Sequence, residues 1–148
     1  MRTNIKNITG LIFLFIITGL TAQEEIDISK LNGRWHLDFQ KTFANMDAAS
    51  FKKLESIPDE AREKVKSNYA NRDYTFGDNG MFQIDYNDGI VYDANWQVLN
   101  GNKIKIKDGH GSIDFYKVVN LTDAELTMEV EPKGGGTVLV KILYFKKI

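Results

Sequence analysis

The sequence predicts an all-β protein: an eight-stranded antiparallel up-and-down barrel with a short helical insert between the first two strands. Three observations predict it. Apolar and polar residues alternate in short segments from residue 34 onward, as in strands with one buried face. Residues 41–70 interrupt that period with helical spacing, and every later connection has hairpin length. One strand before the insert and seven after it make eight, the number at which a sheet closes around side chains or one small ligand and leaves no exposed edge. An open sheet packed on the helices is the competing arrangement.

The elements follow in order. Residues 23–32 are polar and read as an irregular lead-in. In 34–39, Trp35, Leu37 and Phe39 alternate with Arg34, His36 and Asp38. Phe51, Leu54, Ala61, Val65 and Tyr69 then recur at helical spacing, with lysines and glutamates between them. Pro58 suits a first helical turn, and Asp59 and Glu60 suit the positive end of the helix dipole. Two helices are expected, 47–56 and 58–69. Strands follow at 73–76, 82–86, 92–98, 103–107, 113–121, 126–131 and 138–145, separated by turn residues such as Gly77-Asp-Asn-Gly80 and Asn100-Gly-Asn102. The segment 113–121 carries apolar residues on both faces, so its facing is open.

Composition removes several function classes. The 148 residues suit one domain. Lys plus Arg number 19 against 20 Asp plus Glu, which excludes the basic face of a phosphate-driven nucleic-acid binder. With no Cys there are no disulfides, thiolate metal sites or thiol nucleophiles. With 2 His a three-His metal site cannot be built. No metal, cofactor or catalytic residue is expected.

The first 22 residues read as a signal peptide. Arg2 and Lys6 precede an apolar run centred on Leu11–Ile17, and Thr21-Ala22 closes it. Residues 23–148 would then be the mature, exported domain, secreted or periplasmic. The alternative is a retained membrane anchor, since the uncharged stretch from Asn7 to Gln23 is near the lower limit for a span. No later segment is apolar enough to cross a membrane as a helix. The core must hold without disulfides, which is feasible at this size.

Leu31-Asn-Gly33-Arg-Trp35 opening the first strand resembles the Gly-x-Trp signature of lipocalins. The order of Gly80, Phe82, Trp96, Asn120-Leu-Thr122 and Leu126 is similar to small lipocalin-like domains of exported bacterial proteins. The resemblance covers residues 31–148. It lacks a Thr-Asp-Tyr-like motif, and Lys141, Lys146 or Lys147 would have to replace the basic residue that packs over the first-strand Trp. It implies a barrel that binds a small hydrophobic or amphipathic molecule. It also implies a first strand running from a closed floor to an open mouth.

That orientation assigns positions. Gly33, Trp35 and Trp96 fall at the structural floor, with Trp96 read as core packing beside Trp35. Phe39, Tyr74, Ile84, Tyr86, Tyr92, Ile106 and Phe115 fall on inward, mouth-side positions and are the candidate ligand-binding residues; Val130 shares that side. The tyrosines join an apolar ring to a hydroxyl, which suits an amphipathic ligand. The helices 41–70 would cap the mouth as a lid, or pack on the outer wall.

Weaker signals have plainer explanations. Asp85-Tyr-Asn87-Asp-Gly89 has closely spaced oxygens but reads as a hairpin turn rather than a calcium loop. His36 should point outward beside Asp38, and His110 lies in a Gly-rich loop. The expected role is small-molecule binding, without nucleic acid and without enzymatic activity. The alternatives are a filled barrel serving as a structural or protein-interaction module, and a small-barrel enzyme using Tyr and Asp.

Overall fold

A computed structural model describes residues 26–148 apart from 87, 88, 90, 135 and 137. The predicted signal peptide, and the Asn87, Asp88 and Gly135 parts of two predicted turns, lie outside the described residues. No helix among the described residues is long and apolar enough to cross a membrane.

The chain forms a closed barrel of eight antiparallel strands in sequence order. They are β1 (Gly33–Leu37), β2 (Asp73–Phe76), β3 (Met81–Asp85), β4 (Val91–Val98), β5 (Lys103–Asp108), β6 (Ile113–Leu121), β7 (Glu125–Val130) and β8 (Ile142–Lys147). Closure comes from β1 against β8, where Trp35, His36 and Leu37 pair with Lys147, Lys146 and Phe145. Three helices connect β1 to β2: α1 (Phe39–Ala44), α2 (Ala48–Ser56) and α3 (Asp59–Ala70).

The floor is made by residues that alternation brings to one face. Leu31, Trp35, Leu37, Phe76, Phe82, Val118, Leu126, Met128 and Phe145 are buried in one cluster. Each large apolar side chain contributes roughly 1.5–3 kcal/mol on burial. The lead-in is more ordered than its polarity suggests. Asp27 caps a 3-10 turn over Ile28–Leu31, and that turn seats Leu31 in the core. The Leu31 carbonyl accepts from the Trp35 indole Nε1 at 2.7 Å, so the one polar atom of that buried ring is satisfied.

Four features depart from the sequence expectation, each for a local reason. β1 ends at Leu37, and Phe39 opens a helix instead of continuing the strand. Asp38 decides this: its carboxylate accepts from Lys41 N at 3.0 Å and so caps α1. Phe39 therefore stacks on Phe43, with centroids 4.5 Å apart, and does not point into the barrel. The insert thus holds three helices, not two. The final strand starts at Ile142, not at 138; the stretch before it meets β7 through Val130 N donating to Lys141 O.

The fourth departure concerns the insert's apolar stripe, which is not buried as a unit. Leu54 is buried, but Phe51 is 52% exposed and Ala61 is exposed as well. What holds the insert is its first helix, packed on β8. Thr42 is buried and its Oγ1 accepts from Tyr144 N at 3.1 Å, while Asp38 N donates to Tyr144 O at 2.7 Å.

The facing of β6 is settled by a bulge. Val118 pairs with Met128, but Asn120 pairs with Thr127 and Leu121 with Leu126. One extra residue reverses the parity of everything on its far side. Tyr116 and Val118 therefore face inward and Phe115 outward, where Lys103 Nζ lies 4.8 Å from its ring centroid.

Candidate functional site

The mouth end of the barrel holds a cavity of about 270 Å³. Its apolar wall is Ile84 and Ile106, with Phe82 beneath. Four tyrosines, Tyr74, Tyr86, Tyr92 and Tyr116, supply rings and hydroxyls. Arg72 enters from the junction of α3 and β2, and Asp108, Ser112 and Asp114 enter from the β5–β6 hairpin.

Five of the seven sequence-assigned ligand residues meet here: Tyr74, Ile84, Tyr86, Tyr92 and Ile106. The other two do not, Phe39 because it belongs to α1 and Phe115 because it faces outward. Val130 packs against the core cluster. Arg72, Asp108, Asp114 and Tyr116 were not anticipated. A signal for two of them was present: Arg72 has the parity of Tyr74 and Asp108 that of Ile106, so following the period past the apolar residues to the polar strand ends finds both. Asp114 and Tyr116 depend on the facing of β6, which the bulge settles.

The Tyr74, Tyr92 and Tyr116 hydroxyls stay protonated at ordinary pH. Burial pushes the Tyr74 hydroxyl up to about 12, with Arg72 working the other way. Burial also raises Tyr116 well above the usual phenol range. Tyr92 is raised by burial first and then by the Asp108 and Asp114 carboxylates. Buried tyrosines in this state can donate a hydrogen bond and accept others.

Arg72 is held by its surroundings. Its carbonyl accepts from Leu37 N at 3.0 Å and its Nε donates to Asn68 O at 3.2 Å. The guanidinium carbon lies 4.3 Å from the Tyr69 ring centroid and 5.0 Å from that of Tyr86. Across the cavity, Asp108 Oδ1 accepts from His110 N at 3.0 Å and Ser112 N at 2.7 Å. Lys133 Nζ lies 2.9 Å from Asp114 Oδ1.

Gly33 and Trp35 open the first strand, and Trp96 meets Phe76 and Gly77. Gly33 has φ +124°, a conformation that favours glycine, and pairs with Phe76. Lys147 Nζ lies 4.9 Å from the Trp35 ring centroid and donates to Lys30 O at 3.2 Å. Of the three candidate lysines, this is the one over the buried Trp. Trp96 is half-buried, donates to Gly77 O at 2.9 Å and meets the Phe76 ring edge-on at 5.4 Å.

The outer face carries a separate polar group: His36 Nδ1 lies 2.7 Å from Asp73 Oδ1, and Arg34 bridges Asp73 and Asp85. The partner of His36 is thus Asp73 rather than Asp38. A broader hollow of about 1110 Å³ lies near the floor, between Ile26–Lys30 and the exposed side of β6 around Lys117 and Val119. It opens on the outer surface, whereas the mouth cavity is inside the barrel. No protein-family model, curated protein or solved structure matches the chain.

Proposed function

We propose that this is an exported, lipocalin-like barrel that binds a small amphipathic molecule in its mouth cavity. One observation carries the proposal. The interior is packed solid at the floor and hollow at the mouth, and the hollow end gathers four tyrosines, a guanidinium and two carboxylates around an apolar wall. A concave, partly apolar site with a few convergent polar groups is the ordinary form of a small-molecule site. The buried Trp35 under Lys147, beside the left-handed Gly33, supports the lipocalin-like assignment. Fold likeness alone would not carry the function. Export rests on the sequence of residues 1–22.

The volume sharpens the ligand class. A cavity of ~150 Å³ accepts benzene, so about 270 Å³ suits a compact molecule rather than a whole long acyl chain. The lid role narrows too. Among the described residues, α1–α3 contribute nothing to the cavity lining; Tyr69 reaches its rim through Arg72. The helices act at most through that contact.

Asp108 near Tyr92 is the observation that favours an enzyme, because acid–base chemistry needs such pairs in a cleft. Burial and two carboxylates hold the Tyr92 proton in place, so binding is the better reading. Native mass spectrometry of protein purified from its own host tests it, together with a fluorescent apolar probe titrated against wild type and Tyr86→Ala. A retained small molecule, or probe binding weakened by the substitution, supports a carrier. If nothing co-purifies and no probe binds at micromolar concentration, the barrel is a structural or partner-binding module.

A further inference from the structure

Arg72 brings a part-buried cation to the cavity. Burial works against its charge, the neighbouring Tyr74, Tyr86 and Tyr69 favour it, and the balance raises its pKa; charged groups taken from water are ordinarily paired with an opposite charge. Among the described residues, no carboxylate lies within ion-pair distance of this guanidinium. The acidic groups near it in the fold are engaged elsewhere: Asp73 and Asp85 by Arg34, and Asp114 by Lys133.

Arg72 is held in place by aromatic faces and a backbone carbonyl instead. Rings compensate a cation only in part. They also fix its plane, and a fixed guanidinium is the donor fork that matches a carboxylate. Nε is spent on Asn68, which leaves the terminal N–H groups for the Tyr74 hydroxyl and the cavity.

The opposite wall has the reverse character. Asp108 uses Oδ1 to hold its own hairpin through His110 N and Ser112 N. Its carboxylate also faces the Tyr92 hydroxyl, and the several acceptor positions of a carboxylate leave room for one more donor. An apolar wall separates the two ends.

Resting on the carrier reading, we propose that Arg72 is the anion-binding residue of the mouth cavity. The ligand class is a small aromatic carboxylate bearing a hydroxyl or amino donor at its far end. The carboxylate meets Arg72, the ring lies among the tyrosines, and the distal donor meets Asp108.

The test uses 4-hydroxyphenylacetate, its neutral amide 4-hydroxyphenylacetamide, and phenylacetate, each titrated into the mature protein by two-dimensional NMR. The acid binds with shifts at cavity residues, and the amide binds about ten- to a hundredfold more weakly, the range for a lost charge-assisted hydrogen bond. Phenylacetate binds several-fold more weakly than the hydroxylated acid. Arg72→Gln removes the preference for acid over amide, and Arg72→Lys keeps part of it. Should Arg72→Gln fail to fold, the comparison of acid with amide on wild type decides. Equal affinity for acid and amide overturns the anion assignment and leaves the carrier reading standing. If none of the three probes shifts a cavity resonance, while the host-purified protein also carries no molecule, both fail.

Discussion

The two ends of this barrel are built from the same alternating strands and differ in what fills them. At the floor, Leu31, Trp35, Phe76 and Val118 are almost wholly buried, and polar atoms such as the Trp35 indole N–H are paired within the chain. At the mouth, the same parity continues into Arg72, Tyr86, Asp108 and Asp114, which leave about 270 Å³ unfilled. A closed barrel needs a packed interior over only part of its length to stay folded. The division of labour is therefore along the axis: stability resides below Phe82 and binding chemistry above it.

The substitution that tests this division most strongly is Trp35→Ala. It removes a fully buried indole and strands the Leu31 carbonyl, so it should cost about 3–5 kcal/mol in urea unfolding. A loss under ~1.5 kcal/mol would mean that the floor is not the stabilising half. Next in size is Gly33→Ala. A Cβ there would lie 3.0 Å from Lys147 Cε, which can move, so the penalty is chiefly the backbone at φ +124°. We expect roughly 1–3 kcal/mol, read as a drop in the unfolding midpoint. A neutral substitution would show that the strand relaxes there.

Much of the floor and half of the mouth were legible in the sequence, and the misses have physical causes. Period-two alternation located Trp35, Tyr74, Ile84 and Ile106 because each lies inside an unbroken strand. Phe39 was misassigned because alternation continues past Asp38 while the chain does not; a capping carboxylate outweighed the pattern. Phe115 was misassigned because a bulge inverts parity without leaving a mark in composition. Arg72 and Asp108 share the inward parity, yet a search for apolar positions passes over them, since charged inward residues are the exception in a core. The lead-in holds Ile26, Ile28 and Leu31, which pack on or in the core, but their spacing of two and then three fits no single period, so its polar neighbours hid the 3-10 turn.

Tyr86→Ala separates the ends from the other side. The ring is half-buried and flanks Arg72 at 5.0 Å. Its removal should cost under ~1.5 kcal/mol of stability, since little packed surface is lost, while an aromatic probe should bind about tenfold more weakly. Equal loss at both readouts, or a stability loss like that of Trp35→Ala, would make the mouth part of the core.

The smallest effect concerns the seam that fastens the insert to the mouth-side wall. The Asp38 carboxyl is held below its ordinary value of 3.8, first by the Lys146 hydrogen bond and then by the Lys41 backbone N–H. A group whose folded pKa is depressed stabilises the fold fully above its unfolded pKa. That stabilisation is lost as pH falls through the folded value. Below about pH 4, α1 should therefore loosen from β8 while the floor, held by apolar burial, is unaffected. Asp38→Asn isolates the charge, because Asn still caps a helix. Lys146 is 64% exposed, so solvent screens the ion pair and it contributes little. Wild type should melt slightly above the variant at pH 7, and the gap should close by pH 3. A gap that does not change with pH would place the contribution of Asp38 in its capping geometry and not in its charge. The insert would then stay fastened in acid as firmly as the floor.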